Sequence, residues 1–223
     1  YFQQTAHQGN MGRPNRDFDH HYETLNFAYS NTFTPDWNLQ FKYGERHYDR
    51  NFSNDNFPVS LALVNQENTH QTIRPADLTL SHRHGQDSLL TLGVDGQWVD
   101  YATDSRPAMG AVAPENRAKA TSTGYFVQEK VRLDDWILRG GIRHDTIHHD
   151  YGLLGGNIPD TRSASWSKNL WSLGTRYNMQ SGLAIYANAG TSFMAPAAKQ
   201  IGGTVAVPTA SGELPNPNLR PEN

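Results

Sequence analysis

Apolar and polar residues alternate with a period of two along four pairs of extended segments, and this limits the chain to β-structure. Successive side chains of a β-strand point to opposite faces, so such alternation means that one face meets something apolar and the other stays wet. The first segment sets Leu25, Phe27, Tyr29 and Phe33 against Thr24, Asn26, Ser30 and Thr32. Thr34-Pro35-Asp36 then makes a turn, because Pro presets φ and Asp bonds its own backbone. Beyond it, Trp37, Leu39, Phe41 and Tyr43 oppose Asn38, Gln40, Lys42 and Arg46.

The pattern recurs three times. Leu78 and Leu80 alternate with Asp77, Thr79, Ser81 and Arg83; after Gly85-Gln86-Asp87, Leu90, Leu92, Val94 and Trp98 alternate with Thr91, Asp95 and Gln97. Tyr125, Val127, Val131 and Leu133 oppose Gln128, Lys130 and Arg132; after Asp134-Asp135, Trp136, Leu138 and Ile142 oppose Arg139 and Arg143. Trp171, Leu173 and Tyr177 oppose Ser172, Arg176 and Asn178; after Gln180-Ser181-Gly182, Leu183, Ile185, Ala187 and Ala189 oppose Asn188 and Ser192. This predicts eight strands in four hairpins. Two- to three-residue turns alternate with long connections, expected over 49–71, 102–120, 146–165 and from Met194 onward.

Segments of about a dozen residues exceed the usual strand and match the roughly 9 to 11 that a tilted strand needs to cross a bilayer. Short turns at one end and long loops at the other suit a membrane barrel. Phe33, Trp37, Tyr43, Tyr101, Trp136 and Tyr177 fall near strand ends, where aromatic rings favour the water–lipid boundary. The apolar face carries one charge, Glu129, expected toward the short-turn end, where its cost falls. The opposite face carries Lys42, Arg46, Arg83, Lys130, Arg132, Arg139, Arg143 and Arg176 against Asp77 and Asp95. The expected fold is all-β, a transmembrane antiparallel up-and-down barrel.

Composition narrows the alternatives. Only 36% of residues are hydrophobic and mean hydropathy is −0.70, yet 11% are aromatic. There is no Cys, which excludes disulfides and thiolate metal sites. A net charge of −3 gives no reason to expect nucleic-acid binding. No run of about 18 apolar residues suggests a membrane helix. No signal peptide is visible, so a mature chain or a piece of a longer one is expected. Gly-x-Ser-x-Gly, His-Glu-x-x-His and phosphate-loop patterns are missing, and Asp134-Asp135 sits in a turn, so no enzyme is expected.

Two stretches go beyond pattern. Tyr125-Phe126-Val127-Gln128-Glu129, Leu133-Asp134-Asp135-Trp136 and Leu138-Arg139-Gly140-Gly141-Ile142-Arg143-His144-Asp145 form one. Leu183 to Ala187, Ser192-Phe193-Met194-Ala195-Pro196 and Asn216-Pro217-Asn218-Leu219-Arg220-Pro221-Glu222 form the other. Both resemble TonB-dependent outer-membrane receptors, with an aromatic-x-Gln strand turning into Gly-x-Arg-x-Asp, and a Phe-x-Ala-Pro box leading to Asn-Pro-Asn-Leu-x-Pro-Glu. The resemblance covers residues 123–223 well and the first half through strand pattern alone. It implies an importer, usually of ferric siderophores, whose barrel of about 22 strands surrounds a plug on which TonB pulls. Residues 1–223 are then expected to be part of such a barrel, with the plug domain absent and no working pore from this piece alone. The implied partners are outer-membrane lipid, the plug, the TonB complex and an iron chelate; no cofactor is expected.

Candidate ligand contacts in the long loops are Tyr48, Arg50, Tyr101, Arg106, His148, Tyr151 and Arg162, since aromatic and guanidinium groups suit flat anionic chelates. Solvated loop is the plainer reading of each. Arg46, Arg83, Arg132, Arg139, Arg143 and Arg176 are expected in the lumen, toward acidic plug residues or an anionic cargo. Phe193, Ala195, Pro196, Asn216, Pro217, Asn218, Leu219, Pro221 and Glu222 are expected to organise the loop-to-strand junction. Adjacent pairs His20-His21 and His148-His149 point to opposite faces of a strand and make poor metal sites. Haem receptors carry an Arg in the first box and a His between the boxes; here Met194 takes the Arg position and 199–215 holds no His, which argues against haem. The alternatives left open are cobalamin or haem as cargo, a small eight-stranded adhesin or anchor, and a passive porin.

Overall fold

The computed structural model describes residues 1–85, 87–153, 160–197, 200, 216 and 218–222. Among these residues, nine strands form one antiparallel sheet in strict chain order. They are β1 (Phe2–Asn10), β2 (Arg13–Thr34), β3 (Trp37–Asp55), β4 (Leu63–His84), β5 (Ser88–Pro107), β6 (Ala113–Leu133), β7 (Trp136–Leu153), β8 (Asp160–Asn178) and β9 (Ala184–Gly190). The four expected hairpins are β2–β3, β4–β5, β6–β7 and β8–β9. Strand β1 is additional. It carries Gln3, Gln4, Thr5, His7 and Gln8, so neither face shows an apolar signal, and it pairs only with the part of β2 up to Thr24.

The short turns sit where the residues permit them. Asp87 and Asp134 adopt φ of 61° and 51°, and Gly182 adopts 83°, in the left-handed region that Asp tolerates and Gly favours. Arg83 N–H donates to the Asp36 carbonyl at 2.7 Å, tying two neighbouring turns together.

Register fixes the faces, because directly paired residues share one. Tyr29, Phe41, Leu78, Val94 and Tyr125 are consecutive partners, as are Leu39, Leu80, Leu92, Val127, Ile142 and Trp171. These side chains form an apolar band that nothing in the described residues covers: Phe27, Tyr125, Leu173 and Ile142 are 53–66% exposed. Only Tyr151 and Leu153 are buried hydrophobic residues among those described, so the sheet has no water-soluble core.

The band also reports strand tilt. Following the register from Phe27 through Tyr43, Ala76, Gly96, Thr123 and Thr146 leads to Ser167 on β8. Phe27 is second in the apolar run of β2; its equivalent on β8 is Leu173, six residues beyond Ser167. Six residues at about 3.3 Å, across six strand spacings of about 4.8 Å, mean that the strands lean about 35° from the normal to the band. Strands of membrane barrels tilt by roughly 35–45°. Aromatic residues edge the band on both sides: Trp37, Trp136 and Tyr177 toward the short turns, Tyr43, Trp98, Tyr125 and Trp171 toward the other end.

Two expectations are corrected. The long loops are mostly strand: β3 runs on to Asp55 and β4 starts at Leu63, β5 runs to Pro107 and β6 starts at Ala113, and β7 runs to Leu153. Beyond the band both faces are wet, so the hydropathy alternation stops while the backbone ladder continues. Pro75 interrupts that ladder on the β3 side, where the pairing skips from Tyr43–Ala76 to Arg46–Ile73; a Cβ on Gly44 would lie 3.2 Å from its ring. Glu129, in turn, stands at the centre of the run Tyr125, Val127, Glu129, Val131, Leu133 rather than near its end. Its carboxylate lies 2.8 Å from His84 Nε2 on the same face.

Candidate ligand-binding surface

Past the apolar band, the polar face carries a cross-strand row of aromatic and basic residues. Its members are Tyr22, Tyr48, Gln71, Tyr101, Ala118, Tyr151 and Arg162, each the direct partner of the next. Six strand spacings make the row about 29 Å wide. Four of the loop candidates, Tyr48, Tyr101, Tyr151 and Arg162, are therefore strand residues brought onto one surface. The Tyr22 and Tyr48 rings stack at 4.7 Å, and Phe18 and Phe52 stack at 4.4 Å two rows farther out. Between them lie His20, with its Nδ1 3.0 Å from the Tyr48 hydroxyl, and Arg50, which donates to Thr69 Oγ1 at 3.2 Å. Arg16 covers the Phe52 ring at 5.5 Å and donates to Asn54 at 2.7 Å. Tyr151 is buried and donates to Asn116 Oδ1 at 3.0 Å. Burial pushes the Tyr48 phenol above its ordinary value, so it stays a neutral donor.

Two loop candidates do not join this surface. Arg106 pairs with Gln66, and His148 with Thr121 and Ser165, which places both on the opposite face. Tyr101 is likewise no boundary aromatic, since its row is on the polar side. Sequence reading missed Phe18, His20 and Phe52, although Phe18-x-His20-x-Tyr22 and Tyr48-x-Arg50-x-Phe52 repeat at every second position. His21 meets Glu23 at 3.2 Å on the face away from His20, as expected for adjacent histidines. No group of three or more His, Asp or Glu among the described residues could hold a metal ion.

At the height of the band the polar face is nearly balanced. Lys42, Asp77, Asp95, Gly124, Asp145 and Lys168 are successive partners. Arg143 donates to both oxygens of Asp95 at 2.6 and 2.8 Å, and through Nε to Asp145 at 2.6 Å. Phe126 lies 5.8 Å from the guanidinium and fills the space above Gly93. Toward the short turns the same face is basic, with Arg83, Lys130, Arg132, Arg139 and Arg176. Arg46 lies one row below Tyr48, partnered with Thr24 and Ile73.

A one-sided apolar band with tilted strands and a charged reverse face describes a segment of membrane barrel, and comparison with known proteins says which. The family described as TonB dependent receptor-like, beta-barrel, matches residues 1–223. The chain belongs to that family. Vitamin B12 transporter BtuB of Photobacterium profundum is 29% identical over 134 residues, 60% of this chain and 18% of the relative. Copper transporter OprC superposes with a TM-score of 0.68 at 14% identity, covering 85% of this chain and 33% of its own. Ferric citrate transporter FecA gives 0.64 at 13%, covering 82% and 29%. The siderophore receptor PiuA from Acinetobacter baumannii gives 0.58 at 12%, covering 78% and 32%. At such identities these structures establish the shared fold. The chain spans about a third or less of each, so it makes up part of a larger TonB-dependent receptor barrel, an outer-membrane structure. The family and these neighbours are receptors and transporters, not enzymes.

In this receptor segment the two sequence boxes meet. Met194 and Glu222 exchange both backbone hydrogen bonds at 3.1 Å, next to Phe193, Ala195 and Pro196. Asn216 turns the chain by accepting from Asn218 N–H on Oδ1 at 3.2 Å and from Leu219 N–H on its carbonyl at 3.4 Å. Asn216 N–H donates to the Gln200 carbonyl at 3.2 Å, and Pro221 carries the chain to the Glu222 bridge. Pro217 lies outside the described residues.

Proposed function

We propose that this chain forms part of an importer of anionic ferric chelates, most simply a siderophore, with the polar face lining the lumen. The observation that carries this reading is the row Tyr22, Tyr48, Tyr101, Tyr151 and Arg162, with Arg46 and Arg50 beside it. The stacked Tyr22 and Tyr48 phenols offer flat contact area, and guanidinium groups recognise the carboxylate or catecholate oxygens of a chelate. Glu67, beyond Arg50 and paired with Phe52, adds a carboxylate to this stretch of the face. The middle and lower charges, Arg143 and Arg83, Arg132, Arg139 and Arg176 among them, would face a plug domain on which TonB acts. The apolar band would meet lipid, where outward charge is costly.

The likeness to a vitamin B12 transporter keeps cobalamin as the second reading. Quenching of tryptophan fluorescence in protein purified from outer membranes separates them. A ferric tris-catecholate is expected to bind saturably and cyanocobalamin is not. Tight cyanocobalamin binding with none of the ferric chelate would overturn the cargo assignment.

A further inference from the structure

Within the apolar band the outward face carries Glu129 and, among the described residues, no Lys or Arg. A carboxylate directed at hydrocarbon is costly, and ionisable groups at membrane depth ordinarily mark a site. Glu129 shares a register row with Trp37, His82, Leu90 and Gly140. With strands leaning about 35°, the three strand spacings from Trp37 raise the Glu129 backbone about 8 Å above that aromatic edge. Its side chain then runs back to His84, which lies two residues nearer the short turn than His82. The carboxylate thus reaches toward the short-turn boundary of the hydrocarbon, where charged side chains meet headgroups. His84 engages Oε1 at 2.8 Å; among the described residues nothing engages Oε2, and the Glu129 and His84 side chains are 35% and 43% exposed.

The surroundings are shaped for an occupant. In the outward run Trp136, Leu138, Gly140, Ile142 on β7, Gly140 alone lacks a side chain, and it stands directly beside Glu129. A Cβ there would meet Leu173 Cδ2 at an ordinary 3.5 Å, so the gap is open space rather than a packing need. In the next row up, a groove of about 890 Å³ runs along Leu39, Leu80, Leu92, Val127, Ile142 and Trp171. Strands β3 to β8 lie inside the sheet, and this face points away from the lumen.

We propose that Glu129, the gap at Gly140 and the groove form a site for a phospholipid with an ammonium headgroup, in the leaflet on the short-turn side. The ammonium donates to Oε2 in a charge-assisted bond while His84 holds Oε1. An acyl chain rises from there into the groove past Val127 and Leu92. Depth and order agree, with the charge toward the boundary and the apolar groove above it. A headgroup with net negative charge meets no Lys or Arg on this face. A second copy, related by a two-fold axis along the membrane normal, would bring two Glu129 carboxylates to one depth, whereas the lipid supplies the missing cation. The site rests on the band facing lipid and not on the identity of the cargo.

Native mass spectrometry of receptor purified from outer membranes tests it, after exchange with equimolar phosphatidylethanolamine and phosphatidylglycerol of matched chains. Phosphatidylethanolamine is expected to be retained roughly fivefold over phosphatidylglycerol, the scale of one partly exposed charge contact. Glu129→Gln should abolish the preference. Gly140→Leu fills the gap without altering charge and should weaken it too, which keeps the test valid where one variant misfolds. Glu45→Gln, at an outward carboxylate beyond the other edge of the band, should leave it intact. Equal retention of the two lipids, or a preference that survives both Glu129→Gln and Gly140→Leu, overturns the site. Receptor dimers in lipid nanodiscs that Glu129→Gln dissociates would assign the face to a second copy and overturn it as well. A nitroxide at Leu138→Cys reads the lipid-facing band separately, and relaxation by oxygen dissolved in hydrocarbon is expected. With that relaxation and no headgroup preference, this site alone falls; a label that reports water overturns the band with it.

Discussion

The guanidinium of Arg143 occupies the space that a side chain on Gly124 would fill. Gly124 is buried, stands directly between Asp95 and Asp145 in the register, and so lets one guanidinium bridge both carboxylates. The Gly-x-Arg-x-Asp signature thus gains a physical reason: the Arg and the Asp point to one face, and the neighbouring strand must be bare between them. Gly124→Ala should displace Arg143 and cost about as much as Arg143→Gln, roughly 2 kcal/mol for hydrogen bonds to charged groups. The two changes remove one interaction, so the double variant should cost little more than either alone. Urea unfolding in detergent reads all three, and strict additivity would show that the glycine has another role.

Glu129 and His84 form a polar pair within the apolar band. An unpaired carboxylate facing hydrocarbon costs on the order of 1–2 kcal/mol, less than a Lys or Arg at the same depth. His84→Ala is therefore expected to lower stability by about that amount, whereas Glu129→Leu should be neutral or stabilising. In the Glu129→Leu background, His84→Ala should cost nothing. Equal losses from His84→Ala in both backgrounds would mean that the imidazole acts through its stacking neighbours instead. Those neighbours are His82, with ring centroids 5.8 Å apart, and Trp37, stacked on His82 at 4.1 Å.

What could be read from the sequence was what hydrocarbon imposes. Leu92 and Leu138 alternate with Thr91 and Arg139 because one side must be apolar, and the four hairpins follow. Beyond the band that constraint ends, so β1 and the outer halves of β3 to β8 left no hydropathy signal, and their Asn, Asp and Pro content suggested loops. The row Tyr48, Tyr101, Tyr151, Arg162 could be named residue by residue yet not assembled, since its members are far apart in sequence and join only through the register. Arg106 and His148 were grouped with it because, in a loop, facing has no meaning. The Arg143–Gly124 fit depends on what a missing Cβ leaves open, which alternation cannot show.

The facing of those residues makes a paired prediction. Alanine at Tyr101 or Tyr48 should weaken ferric-chelate binding about tenfold each, the scale of a lost contact of roughly 1.4 kcal/mol. Alanine at Arg106 or His148, on the other face, should leave affinity unchanged. Fluorescence titration of the four variants checks it, and a loss confined to Arg106 and His148 would place the ligand on the wrong side of the sheet for an importer.

His149 gives the receptor segment a dependence on pH. It lies on β7 beyond the apolar band, edge-on to the Trp166 ring at 5.5 Å, and its Nδ1 is buried with no hydrogen-bond partner among the described residues. Burial, with a smaller contribution from neighbouring His148, holds its pKa below the ordinary 6.5. The folded state thus favours the neutral ring, and between the folded and ordinary values the unfolded chain binds more protons. Stability from this site is complete above pH 6.5 and is lost as pH falls from there through the lower folded value. Hydrogen exchange at the outer ends of β7 and β8 should therefore speed up, after correction for intrinsic rates, as pH falls from about 7.5 to well below about 6.5. His149→Phe keeps the aromatic contact with Trp166 but cannot be protonated, and should make protection of these amides insensitive to pH. Unchanged pH dependence in that variant would show that the effect does not arise from this ring.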